Sequence, residues 1–413
     1  MRVEFTINGS SDPASHYLTW TPAPLRVRVR DVAVNAGPIT VTLTEQRKSN
    51  GGSLRFSAAT SKLQTSSLKV TLPSNGQSIT VWVAGKFGTP SINDGDVSIV
   101  ALDQQKRVVG SMPVMVRVRK DANTLTVAER DRFIAALAKL NDRGTGRFAD
   151  FRNMHVAGRA DDQAHGGPGF LPWHRAYLLD LERELQAIDA SIALPYWRFD
   201  RKAPFLFTPD FIGNADNDGF VDYGPSNPLS MWATDGQIGV IRWPAGSNPA
   251  TTASPYVATE AQTVSLGSTY RDFRIMQGNP HGSAHTRYFS GSISQIPTAA
   301  KDPLFFLLHC NVDRLWALWQ RQNNKFDAAT ATAYDNNPPQ GSAWLAGHNL
   351  NDSLWPWNGI TVAPRPSTAP GGTLASSPCV PAPGPSPLVR DMIDFQGTRV
   401  RAASLGFAYD NVT

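Results

Sequence analysis

Over the first 120 residues, apolar and polar positions alternate one by one. The pattern is clear in Arg26-Val27-Arg28-Val29-Arg30 and over 114–119, with β-branched runs at 39–43 and 78–83. A period of two sends successive side chains to opposite faces of a strand. Gly, Pro, Asn and Ser cluster between these runs, as turn chemistry requires. Short strands at this spacing predict an all-β, sandwich-like unit of about 120 residues. Near residue 122 the period changes. Thr126-Val127-Ala128-Glu129 has the form of a capping box, and the AERDRFIAALAKL stretch repeats its apolar residues at helical spacing. Helical patterns then alternate with long irregular stretches, at 201–270 and in a Pro/Gly/Ser-rich segment at 362–388. Loops of that length are uncommon unless they are functional or pack over a site. No solenoid-type repeat is present. The expected fold is multidomain: a β-rich accessory unit over 1–122, then a mainly α-helical unit over 123–413.

Charge follows the same division. Residues 1–122 carry 15 Lys/Arg against 8 Asp/Glu, and the remainder carries 24 against 26. The overall +5 therefore belongs to a basic front and a near-neutral back. The alternating Arg residues read as a solvated strand face, the ordinary arrangement on a half-buried sheet. With 413 residues and 41% hydrophobic positions the chain has material for a sizeable core, which excludes wholesale disorder. No run approaches the roughly 20 apolar residues of a membrane span. No export signal is visible at the amino terminus, so a cytoplasmic location is the default expectation. Nothing points to nucleic acid or a membrane as a partner. Two cysteines, Cys310 and Cys379, build neither a disulfide framework nor a thiolate metal cage.

Histidine carries the chemistry. Of eight histidines, six fall in two groups: His155, His165 and His174, then His281, His285 and His309. His155 falls near the end of a helical stretch starting around Phe148. His165 belongs to a Gly/Pro loop, and His174 to a strong helix whose Leu171, Leu178, Leu181 and Leu185 share a face. His281 and His285 are four apart, hence one above the other on a helix. His309 lies in a helix that Asp302 can cap, with Pro303 in its first position. Phe305 and Asp313 flank His309 by one turn on either side, one to pack on its ring and one to reach the hydrogen-bonding layer around a metal. Three neutral imidazoles per ion suit copper or zinc better than oxygen-seeking ions. Two equivalent all-nitrogen sites favour a copper pair. A Glu-x-x-His di-iron pattern and an HExxH zinc pattern are both missing.

These residues resemble the tyrosinase family of tyrosinases, catechol oxidases and haemocyanin units, over roughly residues 123–413. HGGPGFLPWH over 165–174 is similar to its copper A motif. Asp302-Pro303-x-Phe305-Phe306-x-x-His309-x-x-x-Asp313, with the upstream His-x-x-x-His pair, is similar to its copper B signature. Pro195-Tyr196-Trp197 and Phe407-Ala408-Tyr409 match two further family segments. The resemblance implies a type 3 centre of two copper ions in a four-helix bundle, one ion on each histidine group. It implies oxidation of o-diphenols to o-quinones with O2, and in some members hydroxylation of monophenols. An o-aminophenol oxidase or a phenol-tailoring enzyme of natural-product synthesis is an alternative, and a haemocyanin-like O2 carrier is an alternative of another class. A copper-delivery or carrier protein is an expected type of partner.

Four positions depart from the family pattern, and one of them, Leu308 in place of a frequent second histidine before the third copper B ligand, is not expected to matter for binding. Gln163 stands where many relatives have a Cys linked to the second copper A histidine. Gln277 stands where many have a water-holding Glu, with Asp272 as an acid further upstream. Gly282 stands where efficient monophenol hydroxylases often have Asn. Gln277, Gly282 and Asp313 are therefore the expected substrate-side and supporting residues. Cys310 reads as a buried inert thiol, Tyr409 as core, and His16 and His348 as non-ligands. The β-rich unit is expected to shield the copper cavity, bind a partner, or stabilise the enzyme.

Overall fold

The computed structural model describes residues 1–33, 37–59, 65–156, 158–335, 347–358 and 372–413. Its alternating front forms β1 (Arg2–Ile7), β2 (Tyr17–Leu18), β3 (Ala23–Arg30), β4 (Ile39–Arg47), β5 (Leu54–Ser57), β6 (Leu68–Leu72), β7 (Ile79–Gly85), β8 (Val97–Leu102) and β9 (Val108–Val116). One antiparallel sheet has the order β1-β3-β7-β5, and the other runs β2-β9-β8-β4-β6 with only the β2–β9 pair parallel. Alternation sets the faces. Leu25, Val27 and Val29 of β3 are buried with Val41, Leu43, Phe56, Val83 and Ile99 in one core between the sheets. Arg26, Arg28 and Arg30 lie on the exposed side. There Glu4 faces Arg28 across β1 and pairs with it at 2.7 Å. A one-residue slip would bury the arginines, so register is strongly specified.

Past β9 the chain enters a second, helix-rich core. Helix α1 (Val127–Asn141) starts on the expected capping box, with the Glu129 N–H on Thr126 Oγ1 at 3.3 Å and the Thr126 N–H on the Glu129 carboxylate at 2.9 Å. Then come α2 (Phe148–Met154), α3 (Gly158–Ala164) and the long α4 (Phe170–Ile188). Short helices α5 (Glu260–Val264), α6 (Tyr270–Phe273), α7 (Ser283–Thr286) and α8 (Ile296–Ala299) precede α9 (Leu304–Asn323). Helices α4 and α9 pack on each other, with Trp173, Tyr177, Phe305, Phe306, Trp316 and Trp319 buried around them. Pro303 sits one residue before α9 rather than at its first position. Asp302 still serves the helix start, because its carboxylate accepts the Leu304 N–H at 2.9 Å.

The irregular stretch 201–270 is tied down from inside. Arg242, fully buried, grips Asp302 at 2.6 and 2.7 Å. Of the Pro/Gly/Ser-rich segment 362–388, residues 362–371 lie outside the described set, while Ala375 beyond them donates its N–H to Asp180 at 2.7 Å. The junction between sandwich and helices is also polar and buried. Arg119 donates to Glu182 at 2.7 Å, to Asp313 at 3.1 Å and to the Tyr409 hydroxyl at 2.9 Å. Its backbone N–H takes Ala408 O at 2.8 Å. Removing one partner from so buried a pair leaves an uncompensated charge, which costs about 3–5 kcal/mol. No helix among the described residues is long and apolar enough to cross a membrane.

Candidate metal centre

Each histidine of the two groups sits in or beside a helical turn. His155 follows the last residue of α2, its N–H on Phe151 O at 3.4 Å. His165 follows the last residue of α3, its N–H on Asp161 O at 3.1 Å. The loop expected between two helix-borne histidines thus contains a short helix of its own. His174 lies in the second turn of α4. His281 lies in a wide π-type turn over Gly278–Gly282, and His285 in α7 directly after it. Their shared face comes from two joined turns rather than one regular helix. His309 lies in α9.

The side chains converge. His155 Nε2 stands 3.2 Å from His165 Nε2. His309 Nε2 stands 3.3 Å from His281 Nε2 and 3.1 Å from His285 Nε2. Within each triad the potential ligand atoms all lie within 4.8 Å of one another. The triads face each other, with the rings of His174 and His309 stacked at 4.2 Å and 15°. Phe305 fills the space beneath, 4.1 Å from the His309 ring and 4.7 Å from His155, and Phe170 lies 4.8 Å from His281.

Hydrogen bonds assign the tautomers. Nδ1 donates to Phe170 O from His174 (2.9 Å), to Gln277 O from His281 (2.8 Å) and to Ile293 O from His285 (2.7 Å). A carbonyl oxygen only accepts, so each of these Nδ1 atoms carries the proton and each Nε2 carries a lone pair. His165 turns its Nδ1 to the Asp161 carboxylate, at 2.6 Å. In each of the three close pairs one member is His155 or His309, whose Nδ1 has no side-chain or main-chain hydrogen bond among the described residues, so in each triad the Nε2 edges are the ones turned toward a common point. His174 Nε2 is buried with no hydrogen-bond partner among the described residues. Burial, reinforced by neighbouring imidazoles, holds the rings of His155, His174, His281 and His309 well below the usual histidine range. Burial brings His285 down to about 4. Neutral imidazoles with no thiolate or carboxylate in the cage are the donor set of copper or zinc.

The surrounding residues were less legible. Asp161, one turn before His165, has a readable i, i+4 spacing. Gln163 does not, yet its buried amide donates to Gly347 O at 2.6 Å and Ser353 O at 2.9 Å and accepts the Trp355 N–H at 2.7 Å. His348 comes from the same segment and accepts the Gly169 N–H at 2.9 Å. A Cβ at Gly167 or Gly169 would meet its ring at 2.6 or 2.7 Å, so both glycines permit that close approach. Asp313 sits one turn past His309, but its carboxylate is held by Arg119, by Arg175 at 2.6 Å and by the Tyr409 hydroxyl at 2.5 Å. His309 Nδ1 has no partner among the described residues. Gln277 contributes its main-chain carbonyl to His281. Gly282 follows His281, and a Cβ there would meet only Gln277 O, at 3.4 Å. Asp272 is exposed and takes the Thr269 hydroxyl at 2.6 Å. Cys310 is fully buried, its thiol pushed up to about 12 by burial.

Comparison with known proteins adds an independent line. Residues 145–322 match the family model described as the common central domain of tyrosinase. The chain is 34% identical over 279 residues to a tyrosinase of Streptomyces glaucescens, covering 60% of this chain and 94% of that protein. It is 30% identical over 311 residues to grixazone synthase of Streptomyces griseus, covering 60% and 96%. A haemocyanin of Enteroctopus dofleini matches at 27% identity over 266 residues, 57% of this chain and 9% of that much longer protein.

Proposed function

The chain belongs to the tyrosinase family, a copper-dependent oxidoreductase acting on phenols with O2, and we propose that its reaction is the oxidation of o-diphenols to o-quinones. The observation that carries the reading is the pair of facing triads whose ligand atoms converge. On this proposal His155, His165 and His174 hold one copper ion, and His281, His285 and His309 hold the other. The helices α2, α4 and α9, with the helical run through His281 and His285, then form the four-helix frame. The sandwich, residues 1–122, is an accessory unit beside a catalytic unit over 123–413.

When bound, the copper pair supplies the two-electron chemistry that couples phenol oxidation to reduction of O2. The chain's own residues prepare for it. Main-chain carbonyls of Phe170, Gln277 and Ile293 hold three rings in the Nδ1–H tautomer. Phe170 and Phe305 keep the space between the triads apolar. Gly282 leaves room beside His281 for an incoming ring. The preference for o-diphenols rests on Gln277, whose neutral amide offers no base for a phenol proton, and on Asp272, which is exposed and engaged elsewhere.

The test is to load the protein with copper, confirm two ions per chain, and follow O2 uptake with a catechol, a monophenol and an o-aminophenol. Fast uptake with the catechol is expected. Reversible oxygenation without consumption of any of the three would overturn the oxidase reading in favour of O2 carriage.

A further inference from the structure

Away from the histidines, a cavity of about 430 Å³ lies between strands β2, β3 and β7 and the carboxyl-terminal segments 379–381 and 401–406. Its walls are mostly apolar, with Leu18, Pro22, Pro24 and Val380 among them, and among the described residues no Asp or Glu lines it. The volume is that of a small-molecule site, and such sites combine apolar walls with a few placed polar groups. Here the placed groups are two arginines.

Arg117 is 7% exposed, with its guanidinium 4.3 Å from the Tyr17 ring centroid and one N–H on Ala190 O. Arg401 lies 4.8 Å from the Trp82 ring centroid and donates to Pro22 O. Among the described residues neither guanidinium has an ion-pair partner. Elsewhere in the molecule the buried Arg119, Arg175 and Arg242 are each paired with a carboxylate, while Arg183 spends its donors on the main-chain carbonyls of Ala375 and Ala382. Burial, with no compensating acid, pushes the Arg401 guanidinium below its usual range. Asp94 takes the Tyr17 hydroxyl at 3.0 Å but does not line the cavity. Two guanidiniums stacked on aromatic rings, Arg117 buried and Arg401 half-buried, thus stand at an apolar cavity with no carboxylate of the described residues beside them.

We propose that this cavity binds a small amphiphilic carboxylate of the arenecarboxylate class. The apolar body lies against Leu18, Pro22, Pro24 and Val380, and the carboxylate is taken by Arg401, with Arg117 adding positive potential. A planar fork on a carboxylate is the strong form of charge-assisted hydrogen bond. None of the six histidines lines the cavity. Because its walls come from both the sandwich and the carboxyl-terminal segments, an occupant joins the two and stabilises their contact.

The probe is 2-naphthoate, titrated calorimetrically into the copper-loaded protein beside its neutral counterpart 2-naphthylmethanol. We expect naphthoate to bind at least tenfold more tightly than the alcohol and to raise Tm. Arg401→Ala is expected to weaken naphthoate at least tenfold. Ser404→Trp, which fills the cavity and leaves both arginines in place, is expected to abolish the site. Catechol oxidation should be unchanged in both variants. Binding that neither variant alters belongs to the copper centre or the general surface and would overturn the proposal. Equal affinity for the alcohol, or no binding at millimolar naphthoate, would overturn it as well.

Discussion

Each histidine triad brings at least two of its Nε2 atoms to within 3.1–3.3 Å of one another, yet different groups hold the rings there. In the second triad His281 and His285 lean on main-chain carbonyls. In the first, His165 leans on the Asp161 carboxylate, and its side chain is 17% exposed. Its helix α3 is tied to the 347–355 segment through the amide of Gln163. A carbonyl on a packed backbone is removed by no substitution and no proton. A carboxylate and an amide are each one mutation from being lost. His281 and His285 of the second triad, like His174 of the first, therefore rest on the backbone, whereas His165 depends on side chains around it.

Removing a ligand tests the comparison most severely. His174→Ala and His309→Ala should each bind one copper ion instead of two, the other triad keeping its metal. Catechol oxidation should fall by at least about a thousandfold in both, since the two ions act together. Metal analysis with O2 uptake checks this, and loss of both ions from either variant would deny that the triads are separate sites.

Acid is the next strongest challenge. His285 titrates near 4 when folded, below the roughly 6.5 of an unfolded histidine. Between those values the unfolded chain holds a proton that the folded ring does not, so unfolding is favoured increasingly as pH falls. Stability is fully present above about 6.5 and is lost toward 4, on the order of 3 kcal/mol for this ring. Urea unfolding of copper-free protein at pH 7, 5.5 and 4 measures it. A flat profile would contradict the burial of a neutral ring.

Asp161→Ala separates the triads more gently. It should weaken copper at the first triad ten- to hundredfold, the usual effect of losing a hydrogen-bond partner of a ligand, and leave the second triad unaffected. Gln163→Ala strips two carbonyls and one N–H of their partners. It should cost about 1–2 kcal/mol in stability and lower copper affinity only at the first triad. The smallest effect is expected from Gln277→Glu, a few-fold gain on monophenols relative to catechol, because a carboxylate is then available as a base. Rates that rise together on both substrates would remove Gln277 from the argument over selectivity.

Much of the centre was legible from spacing alone. The four-residue step from His281 to His285, the capping box before α1, the alternating Arg and Val of β3 and the placement of Phe305 on His309 are all local periodicities. The backbone enforces them wherever the chain is helical or extended. Helix α3 was not legible, since seven residues beginning with a Gly carry too short a pattern to stand out from a loop. Asp313 shows the limit differently. Its spacing from His309 placed it one turn away, but its carboxylate is committed to Arg119 and Arg175, which lie 194 and 138 residues distant in the chain.

By itself, the sequence determined the strands, the main helices, the two triplets of histidines and their chemical type. Periodicity and residue identity act within a few residues and need no knowledge of neighbours. Only the tertiary structure decided that the triplets face each other, which carbonyls hold His174, His281 and His285, that Gln163 and His348 brace the first triad, and that Arg117 and Arg401 line a cavity without an acid among the described residues. Those are contacts between segments tens to hundreds of residues apart. They arise because a buried polar group must find whichever partner packing brings to it.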